Sequence, residues 1–524
     1  MDTKALRQKV LDLAIRGKLV PQDPNDEPAS VLLERIRQQK QQMVEEGKLK
    51  AKDIKNDTII FVGEDNLHYE KFTDGSVKCI EDDIPFELPK GWAWERLSNL
   101  ATFSGGKTPS TSRREYWDGE VLWVTSKDMK SKYITSSQLR LSVLGAEQMQ
   151  IYQPDTLLLV TRSGILRHTL PIAILKECAT VNQDLKAIVL YMPELAEYVY
   201  VCLKGMESQL LLKYTKSGTT VENVNFDEFQ KVLLPIAPFQ EIRKIIEATS
   251  EATIVVSSIE DEKAALAEYV VKAKAKILDL AIRGQLVPQN PDDEPASVLL
   301  ERIRAEKEKL IHQGKIKRDK KESVIFRGDD NSYYLRTGEL VESLEGWAFE
   351  DLPDSWSMCC LGELCDYGNC TNVDTADIAD SAWMLDLEDI EKDSGVVLKK
   401  VRKAERNAAS TKHRFHKGQV LYSKLRPYLN KVVLADEDGY CTSEILPLEF
   451  ERNILPQYAR YYLMSPAFLR YANKCSYGVK MPRLGTADGK KAIISIPPFE
   501  EQKRIVLAIE LAFAQLVFIA ESLA

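Results

Sequence analysis

The sequence predicts an α+β chain: two α/β-type blocks separated by two long antiparallel coiled-coil helices, arranged with circular pseudo-two-fold symmetry. Two observations carry this. Residues 11–37 (LDLAIRGKLVPQDPNDEPASVLLERIR) and 278–304 (LDLAIRGQLVPQNPDDEPASVLLERIR) match at 24 of 27 positions, offset by 267 in a chain of 524. A repeat of that spacing is a duplicated half-molecule, because solenoid units span about 20–50 residues. The second observation is another related pair, PIAPFQEIRKIIEATSEA at 235–252 and SIPPFEEQKRIVLAIELA at 495–512. In mid-chain this element runs straight into LDLAIRG. At Ala524 it stops, and its continuation is the chain's own N-terminus, so the repeat reads as circular.

Residues 1–22 read as a conserved helix that completes the distal coiled coil with 498–524. Leu6, Val10 and Leu13 continue its apolar frame. Residues 23–87 form an accessory segment. Pro28 suits a first helical turn, ASVLLERIR continues the helix to Gly47, and TIIFVGEDNLHYEKF then reads as a small strand–turn–strand element. An LPxxW motif, Leu88-Pro89…Trp92, opens the first block at 88–235.

The central element, 236–284, holds the clearest periodicity. Phe239–Arg283 contains neither Pro nor Gly, and Gly284 stands where a helix cap belongs. Counting in alternating threes and fours gives Ile242, Ile245, Thr249, Ala252, Val256, Ile259, Lys263, Leu266, Val270, Ala273, Ile277 and Leu280. Ten of these twelve are apolar, a coiled-coil seam. Residues 285–351 repeat the accessory segment, 352–497 form the second block from Leu352-Pro353…Trp356, and 498–524 close the ring.

Composition bounds the function. The chain shows no signal peptide and no uninterrupted apolar run of membrane-spanning length, so no membrane is expected. The nine cysteines follow no regular framework, which suits reduced thiols in a cytoplasm. Cys359, Cys360, Cys365 and Cys370 cluster without a CxxC pair and read as ordinary buried thiols, with no metal expected. Net charge is −8, but the acid lies on the scaffold: block one holds 17 Lys+Arg against 15 Asp+Glu, and block two 20 against 19. Local patches govern binding more than the total does.

The scaffold is duplicated almost verbatim, whereas the blocks diverge after the LPxxW motif. Block one carries polar loops: SGGKTPSTSRREYWDGEVLWVTSKDM (104–129), LVTRSGILRH, and KSGTTVENVN. Arg, Lys and Asn side chains read base edges, while Ser and Thr hydroxyls hold phosphates. The candidate DNA-binding residues are Lys107, Thr108, Arg113, Arg114, Arg162, Lys216, Thr219, Thr220 and Asn223. In block two, residues 395–431 contain eleven Lys/Arg and one acid, Glu405, interleaved with Tyr422 and Tyr428. This reads as a phosphate-tracking surface, with His413 and His416 in the strip. Its candidates are Lys424, Arg426 and Tyr428, joined by Lys480 and Arg483 from SYGVKMPR, which falls where block one has KSGTTVENVN.

Catalytic motifs are missing. Ile496-Pro497-Pro498-Phe499 lacks the Asp or Asn that opens an amino-methyltransferase motif. Gly105-Gly106-Lys107-Thr108 mimics the end of a phosphate-binding loop, but Ala101 replaces its first glycine. Intrinsic catalysis is not expected. A DNA-binding module and a protein-only coiled-coil adaptor both stay open on this evidence.

LDLAIRGxLVPQ, PIAPFQEIRK, SIPPFEEQKR, GGKTPS…EYWDGEVLWVT, KSGTTVENVN, KLRPYLNKVV and TSEILPL together resemble the DNA-specificity subunits of Type I restriction–modification systems over essentially the whole chain. The resemblance implies two target-recognition domains on double-stranded DNA, each reading half of a split, asymmetric target, with one such chain per complex. It implies two methyltransferase subunits docked on the long helices, with Leu6, Val10, Leu13, Leu266, Val270, Ile277 and Leu280 as candidate partner-binding residues. Motor-nuclease subunits would join through them. S-adenosylmethionine, ATP and Mg would sit on those partners, none on this chain. The extra segments near 23–87 and 290–351 depart from compact members of the family, and contacts to the methyltransferase subunits are expected of them.

Overall fold

A computed structural model describes residues 2–216, 222–315, 323–330, 332–344, 351–406 and 410–522. The chain forms two compact units, 1–262 and 263–524. Their boundary falls inside a helix of 44 residues, Phe239–Ile282, which ends one residue short of the expected Arg283. Its twelve seam positions are all buried or half-buried, while their neighbours Ile254, Val255, Tyr269 and Val271 are exposed.

In the first unit, Thr3–Ile15 is helical and is capped by the Asp2 side chain. It packs on the helix Ala196–Gly205, with Gln8 Nε2 donating to Gly205 O at 2.9 Å. Arg7 bonds Glu260 at 3.0 Å, and further along Asp26 faces Lys244 at 3.6 Å. The contacts step in opposite directions, so this segment runs antiparallel to the long helix. The second unit repeats the arrangement with other residues. Lys274 lies 5.4 Å over the Phe513 ring, and Asp293 pairs with Arg504 at 2.6 Å.

One joint recurs in each unit. The helix bearing AIRG ends on Gly17 or Gly284, at φ +62° and +70°. A methyl group at either would lie 2.5 Å from Cγ of Pro89 or Pro353, and 3.1 Å from Trp92 or Trp356. Each of these tryptophans donates its indole N–H to a buried glutamate, Trp92 to Glu241 at 3.0 Å and Trp356 to Glu501 at 3.1 Å. Burial holds both carboxyls above the usual range despite that bond. The LPxxW motif is therefore the plate on which the repeated helices sit. The seam residue Leu280 is only half-buried, and Leu278 one position away from the stripe enters the core instead.

The accessory segments fold alike. Ala29–Glu45 and Ala296–His312 are helices whose preceding prolines, Pro28 and Pro295, occupy the N-cap. Each leads to a three-stranded antiparallel sheet, Ile59–Val62, His68–Lys71 and Val77–Cys79 in one, Ser323–Arg327, Tyr333–Thr337 and Leu340–Ser343 in the other.

The two divergent blocks thread one strand order. In block one, Leu157–Val160 lies between Ile172–Leu175 and Leu185–Leu190, both antiparallel. In block two, Val420–Ser423 lies between Val432–Leu434 and Ile445–Leu448, again antiparallel. Beside these, Trp123 pairs in parallel with Thr180, and Met384 with Tyr440. Sequence similarity is gone, yet these short strands are buried on both faces in each block: Leu157 and Leu159 enter one core and Leu158 and Val160 another, as Val420 and Tyr422 enter one and Leu421 another.

The helix Phe499–Ser522 is long and apolar enough, by length and composition, to cross a membrane. The run is not an uninterrupted one: Glu510, Gln515, Glu521 and Ser522 break residues 505–522. Ile505 and Ile509 of this helix are fully buried in the core of the second unit, and Phe513 packs edge-on against Tyr461.

Candidate nucleic-acid interface

In the first unit, Leu157–Val160 runs out into Thr161-Arg162-Ser163, and three backbone bonds hold this end. Thr161 N donates to Asp184 O at 2.9 Å, Val224 N to Thr161 O at 2.9 Å, and Ser163 N to Glu222 O at 3.2 Å. They tie together the strand end, the turn after Val181, and the hairpin Thr215–Lys216/Asn223–Val224. The second unit repeats the joint bond for bond. Lys424 N donates to Glu444 O at 3.0 Å, Leu484 N to Lys424 O at 3.0 Å, and Arg426 N to Pro482 O at 2.7 Å. Arg162 bridges Asn223 as Leu425 bridges Arg483. The equivalence inferred for KSGTTVENVN and SYGVKMPR holds along their described returning strands, 222–224 and 482–484, which share backbone bonds and carry different side chains.

Around the first cluster, the loop 105–117 is pinned to the turn at 181–185. Lys107 N donates to Val181 O at 3.2 Å, Trp123 Nε1 donates to Lys107 O at 3.3 Å, and Thr108 Oγ1 bonds Gln183. Trp117 meets Trp123 edge-on at 5.0 Å and gives the loop an apolar floor. Arg113 is tied to Tyr116, bonding its hydroxyl at 2.8 Å. Lys107, Arg114, Arg162 and Lys216 are exposed and make no ion pair among the described residues. Asn223 is exposed on the hairpin beside them. Thr219 and Thr220 lie outside the described residues. The turn Asn182–Gln183–Asp184 escaped the sequence reading, since nothing in its residue types separates it from an ordinary surface turn.

The second cluster corrects the basic strip. Of its eleven cations, five are paired inside the block: Lys400 to Asp436 at 2.7 Å, Arg402 to Glu437 at 2.7 Å, Lys403 to Asp380 at 3.4 Å, Arg406 to Asp386 and Asp389 at 2.8 and 2.7 Å, and Lys412 to Asp386 at 3.3 Å. Lys431 Nζ donates to Leu387 O at 2.6 Å. The counter-charges come from elsewhere in the sequence, so a window with one acid looked more basic than the folded surface is. His413 is also withdrawn from the strip: it is buried, its Nδ1 lies 2.9 Å from Ile445 O, and burial lowers its pKa. His416 faces Asp438 at 3.2 Å.

Lys424, Arg426 and Lys480 make no ion pair among the described residues. Arg426 stands at φ +50°, in the left-handed region, with its Nε buried and unbonded among the described residues. Tyr428 beside it is 46% exposed. Arg483 is different. Its guanidinium forks onto Glu444 at 2.8 and 3.1 Å, and that hydrogen bonding raises its pKa. It fastens the hairpin to the turn, so unlike Lys424 and Lys480 its charge is paired within the chain.

Among the described residues no cluster of His, Cys, Asp and Glu could hold a metal. Cys359, Cys360 and Cys365 are buried, and burial pushes their thiols up. Of the candidate partner-binding residues, Leu6 is exposed, at 36%. Val10, Leu13, Leu266, Val270, Ile277 and Leu280 are half-buried. They belong to the shielded stripe; the freely exposed apolar residues of these helices are others, including Ile254, Val271, Leu507 and Phe518.

Fold and site define a duplicated scaffold that carries two unlike loop clusters on one shared backbone joint. The family described as the Type I restriction modification DNA specificity domain matches residues 89–266 and 353–514, well over half of the chain, which belongs to that family. The specificity subunit of Type I restriction enzyme EcoAI of Escherichia coli is 26% identical over 401 residues, 66% of this chain and 64% of its own. The EcoEI specificity subunit of the same organism is 26% identical over 427 residues, 69% of this chain and 61% of its own. The alignments span somewhat less than two thirds of either relative. A solved structure concerned with complex assembly and conformational transition of the type I R-M system aligns at TM-score 0.50 and 15% identity, over 84% of this chain and 94% of that one. That likeness is one of fold.

Proposed function

We propose that this chain is the sequence-reading subunit of a Type I restriction–modification complex. Each block reads one half of a split, asymmetric target on double-stranded DNA, and the intervening sequence goes unread. The chain itself catalyses nothing. It docks two methyltransferase subunits, which bind S-adenosylmethionine and methylate adenine; motor-nuclease subunits join through them with ATP and Mg.

One observation carries the reading: the same three-bond joint holds both loop clusters, while the side chains on it differ. Two identical sites would serve a palindrome; two unlike sites on a common frame suit an asymmetric, two-part target. Lys107, Arg114, Arg162 and Lys216 in one block, and Lys424, Arg426 and Lys480 in the other, supply phosphate and base contacts. Thr108, Arg113, Asn223 and Tyr428 line the same loops.

The test is genome-wide adenine-methylation mapping in cells carrying the chain with its methyltransferase partner, before and after residues 352–497 are exchanged for a foreign block. The expected result is a split motif in which only one half changes. A motif that does not change, or no motif at all, refutes the reading.

A further inference from the structure

We infer that the outward faces of the two small accessory sheets are matched docking surfaces for one protein partner that binds this chain twice. The inference rests on the function proposed above, and the partner is the adenine-methylating subunit.

The observation is a reversal of the usual pattern of change between copies. Strand pairing sets which residues share a face. In the first sheet Ile59 lies opposite Lys71, Phe61 opposite Tyr69, and Lys71 opposite Val77. In the second, Val324 lies opposite Arg336, Phe326 opposite Tyr334, and Arg336 opposite Val341. The solvent face thus reads Ile, Phe, Tyr, Lys, Val in one copy and Val, Phe, Tyr, Arg, Val in the other, with Cys79 of the first replaced by Ser343 in the second. Five of its six positions keep their chemistry.

The opposite face keeps one position, Ile60 as Ile325, and changes at four: Val62 becomes Arg327, His68 becomes Tyr333, buried Glu70 becomes Leu335, and Lys78 becomes Glu342. Packing alone constrains the inner side of a sheet and leaves the outer side free to vary. A retained outer face needs an outside cause.

Part of the retention is internal. The Phe61–Tyr69 and Phe326–Tyr334 rings stack at 5.8 Å in both copies, and Tyr69 and Tyr334 donate to Asp65 and Asp330. That braces the hairpin. In the second copy Arg336 also lies 5.4 Å over the Phe326 ring. None of this accounts for Val77 and Val341, which are 52% and 50% exposed.

The occupant follows from charge and copy number. Residues 58–83 hold seven acids against two lysines, and 323–343 hold four acids against two arginines. A phosphate backbone is repelled there. An apolar patch around one central cation fits a protein surface that offers apolar side chains and a carboxylate. The same patch twice on one chain fits a partner present in two copies.

The experiment uses the full chain assembled with its methylation subunit, the subunits being counted by native mass spectrometry. Lys71→Glu with Val77→Ser alters one sheet, Arg336→Glu with Val341→Ser the other, and a fourfold variant alters both. The wild type is expected to hold two partner copies, either double variant one, and the fourfold variant none, with affinity at an altered sheet at least roughly tenfold weaker. In the wild-type assembly, hydrogen exchange should slow at 59–71 and 324–336 on partner binding. A fourfold variant that holds two copies with unchanged affinity, or exchange indifferent to the partner, overturns this inference alone. A wild-type chain that holds no methylation subunit overturns it together with the proposed function.

Discussion

Replacing Gly17 or Gly284 by alanine strikes the joint on which each unit depends. Both glycines sit in the left-handed region, at φ +62° and +70°, where a Cβ costs about 1–2 kcal/mol. The added methyl would also lie 2.5 Å from the ring of Pro89 or Pro353, inside the contact with the buried tryptophan. Relieving such overlap costs about 1–3 kcal/mol. Alanine lowers the entropy of the unfolded chain, which offsets about 0.4–1 kcal/mol. The net expected loss is about 2–4 kcal/mol for each substitution, a fall in Tm on the order of 10 °C for a unit of this size. Gly47 is the control. Its φ is +72°, but nothing lies within 4 Å of the position a methyl would take, so Gly47→Ala should show the strain without the clash, about 1 kcal/mol. Thermal unfolding, followed by the fluorescence of the buried tryptophans, measures all three. Equal effects at Gly17 and Gly47 would refute the packing argument. A Gly17→Ala chain as stable as wild type would refute the whole account of the joint.

Other outcomes follow from the same geometry. Lys424→Ala and Lys480→Ala should each lower the salt dependence of DNA binding by the assembled complex by about one counter-ion, in the slope of log K against log salt, without changing the methylated motif. Arg483→Ala and Glu444→Gln should perturb binding to a similar degree, and their double variant no more than either alone, because the two act as one fastener. Glu70 contributes to the acid dependence of the first unit. Burial alone would raise its carboxyl, but the bonds from Arg96 and Thr58 outweigh that and hold it below its ordinary value. A depressed carboxylate stabilises the fold above its unfolded pKa, about 4.3, and the benefit fades as pH falls through the folded value. Glu70→Gln should therefore destabilise the first unit at pH 7, and its difference from wild type should shrink towards pH 3 in denaturant unfolding.

What the sequence by itself determined are properties that run along the chain. The 24-of-27 repeat, the helix of 44 residues, the proline-started accessory helices and the equivalence of the two hairpins were all legible there. Identity, helical period and capping residues are local signals, and each survives being read without partners. Tertiary structure alone decided which cations are left to meet a ligand. Arg406 finds Asp389 17 positions away and Arg483 finds Glu444 39 away, so no window could tell these from Lys424. It also decided that one backbone joint underlies two unrelated loop sequences. Main-chain hydrogen bonds between distant segments hold that joint, and they are indifferent to the side chains it carries.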